Sequence, residues 1–570
     1  MRRPSALTFS GVLCFLLSVS LHVQAQSTPA AADPILKALS DELQRSVADL
    51  QFKDLEKPYF IQYVILDREE YRAEATFGAL TSSDQDRARV LQAQVRVGNY
   101  DFDNSEFVSG GGLQGPPTSG VLASIVVEND YDAIRHELWL ATDNAYKQAV
   151  EQLARKRAFV KNKVSDEQIP DFSKENPVSA VGARGALQID KPRWEKQLRE
   201  WSAIFKQFPE VQQSSVSLQA LLTNRYLVNS EGTRTLQPSV IVSLEIAART
   251  EAPDGMRLSH SVPFVAAGFD KLPPANAVSD TIRRMAADLT ALRKAPLLDA
   301  DYSGPVLLTA QASAEMFARV LAPNLSGQRF PLVERDQQGP ANRSELLDRM
   351  NRPVLPAFLS VFDDPTEQGA AGQELIGHYR VDDQGVPARR VSLIEQGVLR
   401  TLLMSRRPGK DMPQSNGHGR SGFPGRETAQ IGNLFIQVSE GKSYADLKQQ
   451  LLQMCRIEKL QYCIMIKALN ADGRSPIGVP VLTYKVHIED GREELVRGAS
   501  ANAIPVRSLR QIEAAGNDAF VVNRLAGGRD LPTPTSIVAP SVLLEEMELK
   551  RPTGSQEKPS LLTHPFFTRN

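Results

Sequence analysis

Glu315 lies in the stretch Tyr302 to Gly327, where a short apolar run feeds straight into residues rich in helix formers, a setting whose rigid flanks can fix a reactive side chain. Its companions Ala312, Ala314, Met316 and Phe317 offer no nucleophile, imidazole or thiol, so Glu315 reads first as a solvated helix carboxylate and only second as a catalytic candidate. His418 is the other catalytic candidate. It stands in Ser415-Asn-Gly-His-Gly-Arg, at the centre of a Gly- and Pro-dense segment from Arg406 to Gly432. A loop of that length in a compact domain is either functional or an exposed turn. The functional reading has Asn416, His418 and Arg420 line a cavity and hold the polar backbone of a peptide. His378, with Asp363-Asp364 and Asp382-Asp383, suggests an oxygen-rich metal site, but adjacent carboxylates on a strand point to opposite faces, and both pairs read better as turns.

Two further signals dissolve on inspection. His136-Glu137 begins a zinc-protease motif, yet Leu140 and Ala141 occupy the positions of the second ligand, which leaves His136 on a solvated helix face. Gly110 to Pro117 is glycine-rich like a phosphate cradle, but it lacks the Lys-Ser/Thr of a P-loop and carries two prolines where a helix should begin. Cys455 and Cys463 are separated by a short stretch. They are either a disulfide of an oxidising compartment or two buried thiols at a helix end and a strand start.

The elements that would position these groups fall into two halves. In the first, helical periodicity marks Pro34 to Leu55, Asp132 to Val160, Trp194 to Phe208 and Val278 to Leu298. Strand patterns mark Tyr59 to Leu66, Tyr71 to Leu80, Leu91 to Gly98, Ser215 to Thr223, Asn224 to Ser230 and Val240 to Thr250, with a turn at Glu231-Gly232. A mixed sheet carrying helices on one side follows. The second half opens with Val306 to Leu308 and the helix Ala310 to Leu321. It continues in short strands around Phe358, Val391, Val398, Tyr462 and Val481, with turns at Glu395-Gln396-Gly397 and Glu489-Asp490-Gly491 and one helix at Tyr444 to Met454. Many short antiparallel strands hide their edges by closing, so a barrel-like or curved sheet is expected. The fold class is thus α+β, with an N-terminal α+β domain over 26–300, a β-rich domain over 301–552 and a loose tail over 553–570.

Composition narrows the partners. With 66 basic against 67 acidic residues and no basic run or basic-aromatic stripe, nucleic acid is not the expected partner. Met1-Arg-Arg-Pro, the apolar stretch Ala6 to Leu21 and Val23-Gln24-Ala25 read as a signal peptide over residues 1–25, and no later apolar run is long enough to span a bilayer. The expectation is an exported protein, periplasmic or extracellular.

Several segments in order, Tyr302-Ser-Gly-Pro-Val-Leu-Leu, Phe362-Asp-Asp-Pro, Asp383-Gln-Gly-Val-Pro-Ala, Leu393-Ile-Glu-Gln-Gly-Val-Leu and Asp490-Gly-Arg-Glu-Glu-Leu-Val-Arg-Gly-Ala, resemble the TldD/PmbA family, and Arg225-Tyr-Leu-Val-Asn-Ser-Glu-Gly-Thr extends the match upstream. The resemblance implies a metallopeptidase-related scaffold whose paired subunits, identical or not, enclose a cavity for unfolded peptide. In the catalytic branch a His-Glu-x-x-x-His motif and a later Cys bind zinc. Laid after Leu307-Leu308, that motif falls on Thr309, Ala310 and Ala314, and the stretch Ala519 to Leu525 holds no Cys. The chain therefore looks like the branch without the zinc motif. It is expected to bind extended peptide as a non-catalytic subunit or pseudo-peptidase. Cleavage through a non-standard site drawn from His418, His378, Glu315 and Asp363, or a non-enzymatic envelope assembly role, are the alternatives.

Overall fold

The computed structural model describes residues 33–108, 120–161, 169–333, 344–422, 424–425, 427–470, 478–527 and 532–552. The leader expected over 1–25, the glycine-rich stretch Gly110 to Pro117 and the tail expected over 553–570 lie outside the described residues.

The first half is one mixed sheet built from four long strands. β1 (Pro58–Thr76), β2 (Ala79–Val97), β3 (Val121–Ser124), β4 (Ser179–Val181), β5 (Gln213–Asn229), β6 (Arg234–Glu251) and β7 (Arg257–Ala266) stand in the order β3-β2-β1-β5-β6-β4, and β7 also pairs with β6. β4 runs parallel to β6, and the remaining pairs are antiparallel. Side chains alternate across a strand. Ile61, Tyr63, Ile65, Tyr71, Ala73 and Ala75 of β1 therefore share one face. The helices α1 (Pro34–Asp49) and α2 (Tyr131–Lys161) pack on one end of that face, and α3 (Lys191–Ala203) and α4 (Ala275–Lys294) on the other. Helices on one side is the arrangement the sequence predicts. The opposite face, with Val64, Leu66 and Leu227, is left for the second half of the chain.

Three strand readings need correction. Tyr59 to Leu66 and the start of Tyr71 to Leu80 are one continuous strand, β1. Tyr71 to Leu80 is not one strand, because Phe77 and Gly78 turn the chain with φ of 42° and 84° to make the β1–β2 hairpin. Ser215 to Thr223 and Asn224 to Ser230 are one continuous strand, β5.

The second half holds two large sheets, besides short two-stranded ribbons. One contains β8 (Tyr302–Leu308), β13 (Tyr462–Asn470), β14 (Val479–His487), β15 (Glu493–Val496), β16 (Ser500–Ala501), β17 (Ile512–Ala515) and β20 (Val542–Lys550). The other contains β9 (Leu359–Asp363), β10 (Val391–Glu395), β11 (Val398–Leu399), β12 (Asn433–Val438), β18 (Phe520–Ala526) and β19 (Thr533–Ala539). The barrel-like alternative is not realised. Both sheets stay open, and each includes a parallel pair, β8 with β13 and β12 with β19. The helix α5 (Ala310–Val320) lies between them, touching β13 on one side and β18 and β19 on the other. Its burial on both sides explains its run of Ala, Met and Phe. On the outer face of the first sheet, α6 (Tyr444–Ile457) covers Leu307, Cys463, Met465 and Leu543, while Val306, Leu308, Ile464 and Ile466 face α5. A sheet covered on both faces needs unbroken apolar strands, and Val306 to Leu308 is one. Among the described residues, no helix is long and apolar enough to cross a membrane.

Candidate functional site

The strand-to-helix junction is packed with the chain's own atoms. The Thr309 hydroxyl donates to the Lys467 carbonyl at 3.0 Å, and Ala310 and Ala314 are buried. None of the three carries a group that ligates zinc, so the residues at this junction do not fit the family's metal. β18, the strand on which the third ligand is expected, does run beside α5, but it brings Arg524 Nη1 to within 3.1 Å of Glu315. Glu315 is therefore not solvated. It is 5% exposed, burial pushes its carboxyl up, and Arg524 and Arg319 oppose that rise. Among the described residues, no three His, Cys, Asp or Glu side chains gather closely enough to hold a metal ion.

The Arg406 to Gly432 segment is not an exposed turn. Arg406, Arg407, Ser415, His418, Arg420 and Glu427 are all buried, because the segment is wedged against the N-terminal half. Arg406 Nη2 donates to the Ser173 carbonyl at 2.6 Å and to Glu231 at 2.8 Å, and Arg407 pairs with Glu106 at 2.6 Å. Within the loop, His418 Nε2 is 3.0 Å from Asp363 Oδ1 and Nδ1 is 2.9 Å from the Asn416 carbonyl. Both side chains of the His418–Asp363 pair are fully buried. The two candidates meet, but neither ring nitrogen is left for substrate. Asn416 is a staple, accepting the Met404 N–H and donating to the Leu402 carbonyl. His378 is apart from them, its Nδ1 on the Pro365 carbonyl at 2.9 Å. Asp382 caps its turn as the sequence suggests, accepting the N–H groups of Gln384, Val386 and Gly419; burial nevertheless pushes its carboxyl up to about 7.

A cavity of about 720 Å³ opens between the helix-free face of the N-terminal sheet and the second half. Of the three residues assigned to peptide binding from sequence, Arg420 lines it, together with Arg225, His378, Tyr379 and Asp383. One wall is Gln237 to Ile241 of β6. β4 pairs with residues 234 to 236 and β7 with residues 242 to 251, so between them five residues of β6 have no strand on that side among the described residues. Arg234 N donates to Val178 O, and Leu236 O accepts from Gly182 N; even-numbered residues thus turn their backbone groups outward. Strand alternation then directs the Pro238 carbonyl and the Val240 N–H and carbonyl to the open side. Pro238 is an edge residue in keeping with its missing N–H. No local pattern marks this gap, since it arises from where two distant strands stop.

Cys455 at the end of α6 and Cys463 at the start of β13 have Cα atoms 6.0 Å apart and are bonded through their sulfurs. His136 is exposed on α2, beside Trp139.

Comparison with known proteins adds the following. A sequence profile for the PmbA/TldA metallopeptidase C-terminal domain matches residues 301–551. A metalloprotease of Methanocaldococcus jannaschii is 31% identical over 100 residues, 17% of this chain, and the chain spans about a fifth (21%) of that relative's length. TldE from Thermococcus kodakarensis has the same fold with a TM-score of 0.57 at 13% identity, covering 90% of this chain and 100% of that one. A candidate modulator of a DNA gyrase from Thermotoga maritima gives a TM-score of 0.55 at 16% identity, covering 86% and 96%.

Proposed function

We propose, from the premise that this chain belongs to the TldD/PmbA family through its C-terminal domain, that it binds extended peptide in the cleft between its two halves without a zinc centre of its own. The observation that carries this reading is the five-residue gap in the pairing of β6, which opens onto the cleft. Backbone donors and acceptors on a free strand edge take up any extended chain, whatever its sequence, by adding a strand to the sheet. Val240 would offer a donor and an acceptor to one peptide residue, and Pro238 one further acceptor. Thr309, Ala310 and Ala314 supply no ligand for the cation with which a catalytic relative would activate water, so no hydrolytic step is assigned to this chain. The cleft and open edge favour a peptide site over a purely architectural envelope role. The leader over 1–25 and the bonded Cys455–Cys463 pair support an exported protein. A second subunit of the same family, identical or not, is the partner this reading implies.

The test is calorimetric titration of the full chain with an unstructured peptide and with the same peptide N-methylated at alternate residues. Each lost backbone hydrogen bond is worth about 1 kcal/mol net, so removing two should weaken binding about 30-fold. Equal affinity for the two peptides would mean that the strand edge is not the binding surface.

A further inference from the structure

Two guanidinium groups on the wall of the cleft share a single carboxylate. Arg225 projects from β5 on the helix-free face, with Nε 3.2 Å from Asp383 Oδ1 and Nη2 donating to the Ser421 carbonyl at 2.9 Å. Arg420 reaches the same carboxylate from the glycine-rich segment, with Nε 3.7 Å from Asp383 Oδ2. Its guanidinium lies 4.2 Å from the centre of the Tyr379 ring, and its Nη2 is 3.5 Å from the Pro534 carbonyl. Asp383 Oδ2 is also taken by the Ser421 N–H at 2.8 Å. Arg225 and Arg420 are 9% and 7% exposed, and Nη1 of each is itself buried and has no hydrogen-bond partner among the described residues. Glu427, another acid near Arg225, accepts the Gly425 N–H, and burial pushes its carboxyl up.

A buried charged nitrogen without a partner costs the full desolvation of that group, and a native fold rarely carries two in one place without a use for them. Planar guanidinium forks match carboxylates better than any other biological group of that size. Their placement along the cleft is informative. Arg225 stands opposite Gln237 in the β5–β6 register, at the start of the unpaired stretch of β6, and Thr223 stands opposite Ser239 on the same face. A chain lying along that stretch would bring one end, or one of its side chains, over the pair.

We infer that Arg225 and Arg420 form a carboxylate subsite of the cleft, which takes either the C-terminal carboxylate or an Asp or Glu side chain of the bound peptide. This rests on the reading of the cleft as a peptide site. Asp383 holds the two forks in place and competes with the ligand for them.

The experiment is fluorescence anisotropy on the full chain with four versions of one labelled peptide: free or amidated at the C-terminus, each with Glu or Gln at one internal position. Loss of the recognised carboxylate should weaken binding about tenfold or more. A drop on amidation identifies the C-terminus as the ligand, and a drop on Glu-to-Gln exchange identifies the side chain. Arg225→Gln and Arg420→Gln should reduce carboxylate peptides to the affinity of the neutral one. Asp383→Asn separates recognition from folding because its expected sign is opposite: carboxylate peptides tighten several-fold while the neutral peptide is unchanged. Equal binding of all four peptides to the native protein overturns the subsite and leaves the cleft reading intact, as does an Asp383→Asn protein with unchanged or weakened affinity for the acidic peptides. Failure of every peptide to bind overturns the cleft reading itself.

Discussion

Replacing His418 by Phe should cost stability and leave peptide binding alone. The imidazole bridges the Asn416 carbonyl at 2.9 Å and the Asp363 carboxylate at 3.0 Å, and neither His418 nor Asp363 is exposed at all. In the variant, Asp363 keeps, among the described residues, only the Gly432 N–H, at 3.0 Å and 3.1 Å from its two oxygens. Removing one partner of a buried hydrogen-bonded pair costs about 3–5 kcal/mol, because the other charge is stranded where water cannot reach it. That is a large part of the stability an ordinary domain possesses. The assay is urea unfolding followed by far-ultraviolet circular dichroism, run on His418→Phe, on Asp363→Asn and on the double variant. The cycle should return a coupling of about 2 kcal/mol or more between the two sites. Peptide affinity of the folded fraction should match that of the native protein, since His418 does not line the cleft. A loss of less than about 1 kcal/mol, accompanied by abolished peptide binding, would refute the reasoning and make His418 a ligand-contacting residue.

Two further outcomes follow from other buried groups. Burial carries the Asp382 carboxyl from the ordinary 3.8 to about 7, so the folded state holds this proton more tightly than the unfolded chain does. The stability it contributes is complete below about pH 4 and is lost as the pH rises through about 7, a change of about 4 kcal/mol at about 1.4 kcal/mol per pH unit. Urea midpoints of Asp382→Asn should accordingly show a flatter fall between about pH 4 and pH 7 than the native protein; parallel curves would contradict the assignment. The Cys455–Cys463 bond closes a short loop, with a sequence separation of 8. Chain-entropy reasoning gives it about 2.5 kcal/mol, so a reducing agent should lower the melting temperature of the native protein and leave that of a Cys455→Ala/Cys463→Ala variant unmoved.

What the sequence discloses and what it conceals divides along the range of the forces involved. α2 is legible to within a residue at each end, since period and propensity are local. The Glu395-Gln396-Gly397 hairpin is equally plain, with Gln396 and Gly397 at φ of 47° and 77° as a two-residue turn demands. The β1 strand is harder. Asp67 to Glu70 looks like a polar break between two strands, yet Asp67 sits inside the sheet, held by Arg87, Arg89 and Arg184. Phe77-Gly78 then turns the chain without the Asn or Asp that usually announces such a bend.

The same argument bears on the candidate site. A glycine-rich segment dense in Arg and other polar residues reads as exposed because its polar groups have no partners nearby in sequence. Arg406 finds Ser173 and Glu231, and Arg407 finds Glu106, more than a hundred residues away, and those pairings convert a polar loop into the packed seam between the two halves. Sequence singles out Arg420, which lines the cleft, and the unusual length of the segment. It gives no weight to Arg225, which there is only a residue of a strand. Two guanidiniums on different halves of the chain become a single feature only when the seam closes. The arginine pair, and the cleft wall that faces the strand edge, therefore depend on one structural event, the docking of the glycine-rich segment against β5. A variant that loosens that docking, such as one lacking Arg406, would disturb both at once, whereas a substitution at Arg225 or Arg420 should impair carboxylate recognition and leave the edge able to bind.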